Sequence, residues 1–175
     1  MESDFRSPTI DFSFQFNLSR EKIEKKIFSY LCELSRKLHK ERRFIGLLVV
    51  FGKFDTTDEC TTKGMRQLGT NQIQKYINIA FGQFESDVCK LFEEGSDGAI
   101  IINQSGQIIG SKVYLTVDQP SLDIPEGTGT RHISAASFSM RPDVEAVFTL
   151  SEETLTVRQW RDGHFTDQFD PEEKE

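Results

Sequence analysis

The chain of 175 residues is poor in the residue types that build disulfide frameworks and metal clusters. Its three cysteines, Cys32, Cys60 and Cys89, are far apart and form no CxxC pair, so we expect free thiols in a reducing compartment. Its three histidines show no zinc-ligand spacing. The longest apolar run, residues 44–51, is far too short to span a bilayer, and the acidic, polar start is unlike a signal peptide. These absences favour a cytoplasmic globular protein.

An excess of positive charge is also missing. The net charge is −7 and the isoelectric point is about 5.1, which argues against a basic face for duplex nucleic acid. A site for a smaller polyanion such as a nucleotide would need local arginine and histidine, together with a divalent cation to offset the acidic background. The length predicts one domain, or one domain with an extension.

Hydrophobic periodicity predicts the elements of the first half. Alternating apolar residues predict a short strand over 10–16, and Ser19 then caps a helix whose apolar stripe repeats every three or four residues up to about Arg43. Residues 44–51 form a continuous apolar strand of the kind that is buried on both faces. The polar residues 52–70 predict a long loop, and a second apolar stripe predicts a helix over 71–92.

The second half predicts the rest of an α/β fold, with a central mixed sheet of about five core strands flanked by three helices. A hairpin joins residues 99–102 to 107–115, a loop covers 116–129 and a short helix covers Thr130 to Ser139. The last two strands are expected at 146–150 and 155–160. We therefore predict an N-terminal strand and amphipathic helix as an extension over 1–43, the main domain over 44–165, and a charged, disordered tail over 166–175.

Three short segments could carry chemistry. Asp97-Gly98, at the start of a buried strand, could hold a metal or orient a hydroxyl, although an ordinary turn has the same pattern. The glycine-rich residues 127–130 lead into Arg131 and His132 at a helix start, which suits an anion, although a flexible loop would look alike. The acidic residues 151–154 could bind a metal or form a plain β-turn. Together the three segments indicate a metal-assisted phosphate site.

The order of these segments resembles a known family. A DGA triplet, a hairpin ending in an aromatic–leucine pair, GTRH, and a strand ending in SEE resemble the diadenylate cyclase (DAC) domains, which include the DisA N-terminal-like domains. The resemblance covers about residues 44–163. It implies a nucleotidyltransferase that condenses two ATP into the second messenger cyclic di-AMP and releases two pyrophosphates. It also implies a divalent cation (Mg²⁺, Mn²⁺ or Co²⁺) and a homo-oligomer in which two sites, each holding one ATP, meet face to face.

The resemblance also implies roles for individual residues. Asp97, Arg131 and His132 match the catalytic residues, and Asp97 and Glu153 match the metal ligands. The positions that match the nucleotide-binding residues are Gly98, Ala99, Tyr114, Leu115, Gly129, Thr130, Arg131, His132, Ser151 and Glu152.

The chain departs from the family pattern at two positions. Ile133 stands where the family usually has the second arginine of an RHR triplet, and Ser96 stands where histidine commonly precedes DGA. Because Ile133 lacks the positive charge of that arginine, an alternative stays open: a catalytically impaired sensor of ATP or cyclic dinucleotide with the same fold. A third reading is an unrelated α/β interaction module. The N-terminal helix could regulate by oligomerisation or by blocking the dimer face, or simply pack on the domain.

Overall fold

The computed structural model describes residues 18–54, 65–67, 89–94, 98–117 and 129–173. The predicted strand over 10–16 and most of the predicted helix over 71–92 lie outside these residues. The described elements, in chain order, are α1 (Arg20–Glu41), β1 (Leu47–Gly52), β2 (Met65–Gln67), α2 (Cys89–Glu94), β3 (Ala99–Asn103), β4 (Ile108–Leu115), α3 (Thr130–Ser139), β5 (Val144–Leu150), β6 (Val157–Arg161) and β7 (His164–Phe169).

The strands form one mixed sheet of seven strands in the order β2-β4-β3-β1-β5-β6-β7. The central strands β1 and β3 are parallel to each other, whereas all other neighbouring strands are antiparallel. Every residue of β1 and β3 is buried, because both faces of the sheet centre are covered, as their unbroken apolar sequences predict. The predicted α/β class with a mixed sheet is therefore confirmed.

Helix α1 covers one face of the sheet. The side chain of Ser19 caps the helix by accepting a hydrogen bond from the backbone N–H of Lys22, and Arg42 ends it in the left-handed conformation. The apolar stripe of α1 packs with β1, β3, β5 and β6 in one hydrophobic cluster. The predicted stripe residues are all buried there: Ile23, Ile27, Leu31, Leu34 and Leu38. Helix α1 is thus part of the main core. Packing on the domain was one of the roles that the sequence analysis left open for this helix.

Helix α3 covers the opposite face. Its buried residues Ala135, Ala136 and Phe138 pack in a second cluster with apolar side chains of β1, β3, β4, β5 and β6. The small alanines let the helix lie close to the sheet, and this closeness sets the position of the first turn of α3 relative to the strand ends. The bounds of α3 agree with the prediction.

Two edge strands differ from the predictions. Strand β2 lies inside the predicted 52–70 loop and pairs with β4, and its three residues are too short for a periodic signal. Strand β7 was missed because five of its six residues are exposed, so its sequence carries no buried face. Asp162 and Gly163, both with positive φ, form the tight turn that pairs β7 with β6. A disordered tail was predicted from residue 166 onward, but residues 166–169 belong to β7 and therefore to the sheet.

Cys32 and Cys89 are free and buried, and burial raises the pKa of Cys32 to about 11, so its thiol stays protonated at neutral pH.

Within the part of the chain that the structure describes, no helix combines the length and apolar character that crossing a membrane requires.

Candidate functional site

A groove of about 980 Å³ opens on the α3 face of the sheet. The starts of β1 and β3 and the ends of β4 and β5 meet at this end of the sheet, because β1 and β3 are parallel and each has an antiparallel neighbour. Every predicted site residue within the described ranges lines the groove: Gly98, Ala99, Tyr114, Leu115, Gly129, Thr130, Arg131, His132, Ser151, Glu152 and Glu153. Asp97 lies outside the described residues. The fold thus brings together site residues that are as far apart in the sequence as Gly98 and Glu153.

The first part of the groove depends on a close approach of two backbones. Gly98 has a φ of 140°, and a Cβ there would lie 2.9 Å from the Cα of Lys112 and 3.0 Å from the N of Val113. Lys112 itself has a positive φ of 55°, where β4 is irregularly paired with β3. Glycine is therefore required by the packing of β4 against the start of β3.

The N-terminus of α3 forms the second part. Gly129 is the N-cap residue of α3, and a Cβ built on it would have no atom of the described residues within 4 Å. The first turn of α3 lines the groove with Gly129, Thr130, Arg131 and His132. Backbone N–H groups and the helix dipole at such a position favour an anion.

Arg131 crosses the groove from α3 to the turn after β5. Its Nη1 donates to Oε2 of Glu152 at 3.1 Å, and the two side chains are 38% and 59% exposed. An ion pair this exposed contributes at most about 1 kcal/mol, so an anionic ligand of higher charge can replace Glu152. The same guanidinium lies against Gly46, where a Cβ would come within 2.5 Å of Cζ.

His132 has unusual surroundings. Its side chain is buried, and neither ring nitrogen has a hydrogen-bond partner within the described ranges. The ring packs edge to face against Trp160, with 5.8 Å between the centroids. Burial, reinforced by the positive charges of Arg158 and Arg131, lowers the pKa of His132, so the imidazole is neutral at pH 7. A buried imidazole with two unpaired nitrogens at a groove is suited to a polar ligand.

The turn after β5 supplies the acidic side of the groove. The Oγ of Ser151 accepts a hydrogen bond from the backbone N–H of Thr154 at 3.4 Å, and the backbone N–H of Leu155 donates to the carbonyl of Ser151. This turn holds Glu152 toward Arg131 and places Glu153 on the groove. Carboxylate oxygens are the ligands that Mg²⁺ and Mn²⁺ prefer. Within the described ranges, no three His, Cys, Asp or Glu side chains form a metal cluster, so a cation held by Glu153 needs a further ligand.

Aromatic side chains and one arginine complete the groove. Tyr114 and Phe165 are 50% and 47% exposed, which is high for large apolar side chains. Trp160 is buried, and its Nε1 donates to Oγ1 of Thr149 at 2.9 Å. Sequence reasoning missed Trp160, Phe165 and Arg158 as groove residues. The alternation of polar and apolar residues in β6 places Arg158 and Trp160 on one face, but the sequence alone does not say that this face meets α3.

Known proteins give an independent comparison. The model of the family DAC, described as "DisA bacterial checkpoint controller nucleotide-binding", matches residues 37–165. A diadenylate cyclase from Methanocaldococcus jannaschii is 28% identical over 149 residues, which are 84% of this chain and 45% of that protein. A diadenylate cyclase from Haloferax volcanii is 34% identical over 76 residues, 43% of this chain and 28% of that protein. The chain thus spans less than half the length of these two relatives.

Solved structures show the same fold. A double mutant of DacA from Staphylococcus aureus is similar with a TM-score of 0.52 and 27% identity, over 86% of this chain and 91% of that chain. A protein from Bacillus cereus, described as a hypothetical membrane spanning protein, matches with a TM-score of 0.55 and 22% identity, over 81% of this chain and 61% of that chain. Since the family model covers most of the sequence, including the whole groove, the chain belongs to the DAC family of nucleotide-binding domains.

Proposed function

We propose that the protein is a diadenylate cyclase that condenses two ATP molecules into cyclic di-AMP and two pyrophosphates. The observation that carries the proposal is that the described residues of the four segments matching the family pattern converge on one groove. The groove joins the N-terminus of α3, a neighbouring arginine and a carboxylate turn. This is the combination that binding a triphosphate requires, because phosphoryl transfer depends mainly on alignment and charge neutralisation. A cytoplasmic location, where ATP is supplied, is part of the proposal.

The reaction joins the two nucleotides twice. The 3′-oxygen of each ATP forms a bond to the α-phosphorus of the other, and the bond from that phosphorus to the β-phosphate oxygen breaks. Pyrophosphate leaves from each ATP, and each hydroxyl proton passes to solvent. Asp97 activates the hydroxyl, Thr130 and Arg131 bind the triphosphate, and His132 offers it a hydrogen bond. Gly98, Ala99, Tyr114 and Leu115 surround the adenosine, and Ser151 and Glu152 border the phosphates.

The cofactor in this proposal is Mg²⁺, Mn²⁺ or Co²⁺, held by Asp97 and Glu153. The chemistry of Glu153 fits such an ion, because it is a carboxylate at the groove. The bound ion supplies charge neutralisation at the triphosphate. This contribution matters in a chain with a net charge of −7, whose overall field repels ATP.

The second ATP requires a second copy of the chain. One protomer binds one ATP in this proposal, so two grooves must face each other in a homo-oligomer. Tyr114 and Phe165 support such a contact, because both are large apolar side chains that stay about half exposed at the groove. Exposed apolar surface of this kind is typical of surfaces that bind a partner or a ligand.

The alternative of an impaired sensor rested on Ile133. The residues of α3 that line the groove are Thr130, Arg131, His132 and Ser134, so the side chain at 133 is not one of the groove's walls. Within the described residues, Ile133 therefore gives the sensor no support over the cyclase.

A product assay tests the proposal. The protein is incubated with ATP and Mn²⁺, Mg²⁺ or Co²⁺, and cyclic di-AMP is measured by chromatography. We expect product with the wild type, none with Asp97→Asn, and a specific activity that falls on dilution if the oligomer dissociates. ATP binding without product in any of the three metals would contradict the cyclase and support the sensor.

A further inference from the structure

Arg158 is a groove residue to which no family motif points. It lies in the middle of β6, paired with Thr149 of β5 and with Gln168 of β7. Its side chain lines the same groove as Arg131 and His132. Because β6 is hydrogen-bonded on both sides, the backbone of Arg158 is held more firmly than a loop position would be.

The partners of Arg158 are uncharged. Its Nε donates to Oε1 of Gln168 at 2.8 Å, and its guanidinium lies over the ring of Phe165 at 5.3 Å from the centroid. No carboxylate of the described residues forms an ion pair with it. Five other arginines do pair with carboxylates: Arg20, Arg43, Arg131, Arg141 and Arg161.

The positive charge of Arg158 acts on the same histidine as the charge of Arg131 does. Burial lowers the pKa of His132, and the charges of Arg158 and Arg131 add to this effect, so each arginine lies within electrostatic reach of that imidazole. The two guanidinium groups border one partly desolvated groove, and their like charges repel in the free protein. An anion bound among the three side chains would reverse this effect.

We propose that Arg158 binds a phosphate group of the nucleotide and is, with Arg131, one of two arginines that balance the nucleotide's negative charge. This inference rests on the proposed function and adds a residue to it. The family resemblance expects one more arginine after Arg131 and His132, and the chain has Ile133 there. Arg158 supplies positive charge from the sheet, on the groove that α3 borders.

Binding of 3′-deoxy-ATP in the presence of Mn²⁺ tests the role directly, because this analogue lacks the nucleophilic hydroxyl and cannot be joined. Calorimetry compares the wild type with Arg158→Gln and Arg158→Lys. We expect Arg158→Gln to weaken binding about 10- to 100-fold, as loss of a charge-assisted hydrogen bond does, and Arg158→Lys to recover part of the loss. For the nucleoside 3′-deoxyadenosine, Arg158→Gln should leave the affinity unchanged, since no phosphate is present.

Arg36→Gln is the matched control. Arg36 lies on α1, and its guanidinium stacks over Phe169 of β7 at 4.6 Å, so this variant also loses one positive charge and one arginine–phenylalanine contact. Arg36 is not a groove residue, and its replacement should not weaken binding of 3′-deoxy-ATP. Melting temperatures of all variants show whether each is folded.

The outcomes separate the two proposals. If Arg158→Gln binds 3′-deoxy-ATP as tightly as Arg36→Gln does, the inference about Arg158 is overturned, whether or not the wild type makes product. Equal weakening for the triphosphate and the nucleoside would also overturn it and assign Arg158 to the base. A wild type that binds 3′-deoxy-ATP but forms no cyclic di-AMP refutes the cyclase and leaves the binding test of Arg158 valid. A wild type that binds no 3′-deoxy-ATP contradicts both.

Discussion

Gly46→Ala should weaken ATP binding through Arg131 without unfolding the protein. Gly46 is buried just before β1, and an alanine Cβ there would lie 2.5 Å from Cζ and 3.1 Å from Nε of Arg131. Ordinary contact begins at 3.4 Å, so the guanidinium carbon must move by at least about 0.9 Å. The atoms in the way belong to the far end of a flexible side chain, so the guanidinium rather than the backbone gives way.

The size of the effect follows from this displacement. A guanidinium–phosphate hydrogen bond is about 2.9 Å long, and a shift of this size away from the phosphate would stretch it to about 3.8 Å, beyond hydrogen-bond range. Loss of such a charge-assisted bond costs about 1.5–3 kcal/mol, which corresponds to a rise in KM for ATP of about 10- to 150-fold. Folding stability should change by less than about 1 kcal/mol, because alanine restricts the unfolded chain more than glycine does.

A double-mutant cycle makes the test specific. Initial rates of cyclic di-AMP formation are measured for wild type, Gly46→Ala, Arg131→Ala and the double variant. We expect Gly46→Ala to raise KM in the wild-type background and to add nothing when Arg131 is already alanine, since the two changes share one cause. Equal effects in both backgrounds would refute the reasoning, as would an unchanged KM in the single variant.

Three other predictions follow from the same structure. Asp97→Asn should abolish product while the melting temperature stays near that of the wild type, and turnover at the wild-type rate would remove Asp97 from the mechanism. The pKa of His132 is lower in the folded protein than in the unfolded chain, so the unfolded chain binds the proton more readily. Denaturation should therefore show stability falling as the pH drops below about 6.5, and His132→Gln should lose this component. Leu31→Ala should cost about 2–5 kcal/mol in urea unfolding, because Leu31 is fully buried under the sheet; a cost below about 1 kcal/mol would mean that α1 is not part of the cooperative core.

The predictable parts of the fold are those where burial imposes a period. The stripe of α1 and the apolar run of β1 were located correctly because each must bury a continuous face. The ends of α3 were correct because a glycine-rich segment precedes it and Pro142 follows closely. Strand β7 has no such constraint, as its side chains stay exposed and only the turn at Asp162 pairs it with β6. Its sequence contains that turn signal, but the signal does not say how far the pairing extends.

The site likewise contains residues that the sequence predicts and residues that it does not. Gly129 to His132 could be found because these residues, which we propose bind the nucleotide, are adjacent in the sequence and match a family motif. Gly46 and Arg158 are far from that motif and reach it only through the sheet, since β1 brings Gly46 under α3 and β6 brings Arg158 beside it. A single sequence does not contain that proximity, and the pairing of strands was needed to reveal it.

The imidazole of His132, which has no hydrogen-bond partner within the described residues, links the stability of the free protein to the affinity of the groove for a ligand. Water was removed from both ring nitrogens when the chain folded, and no hydrogen bond within the described residues compensates for that loss. A ligand atom that reaches either nitrogen gains a hydrogen bond without first having to dehydrate the ring. In the proposed role of His132, stability of the free protein is therefore exchanged for affinity. An apolar ring of similar shape would give a more robust fold that holds its ligand less tightly.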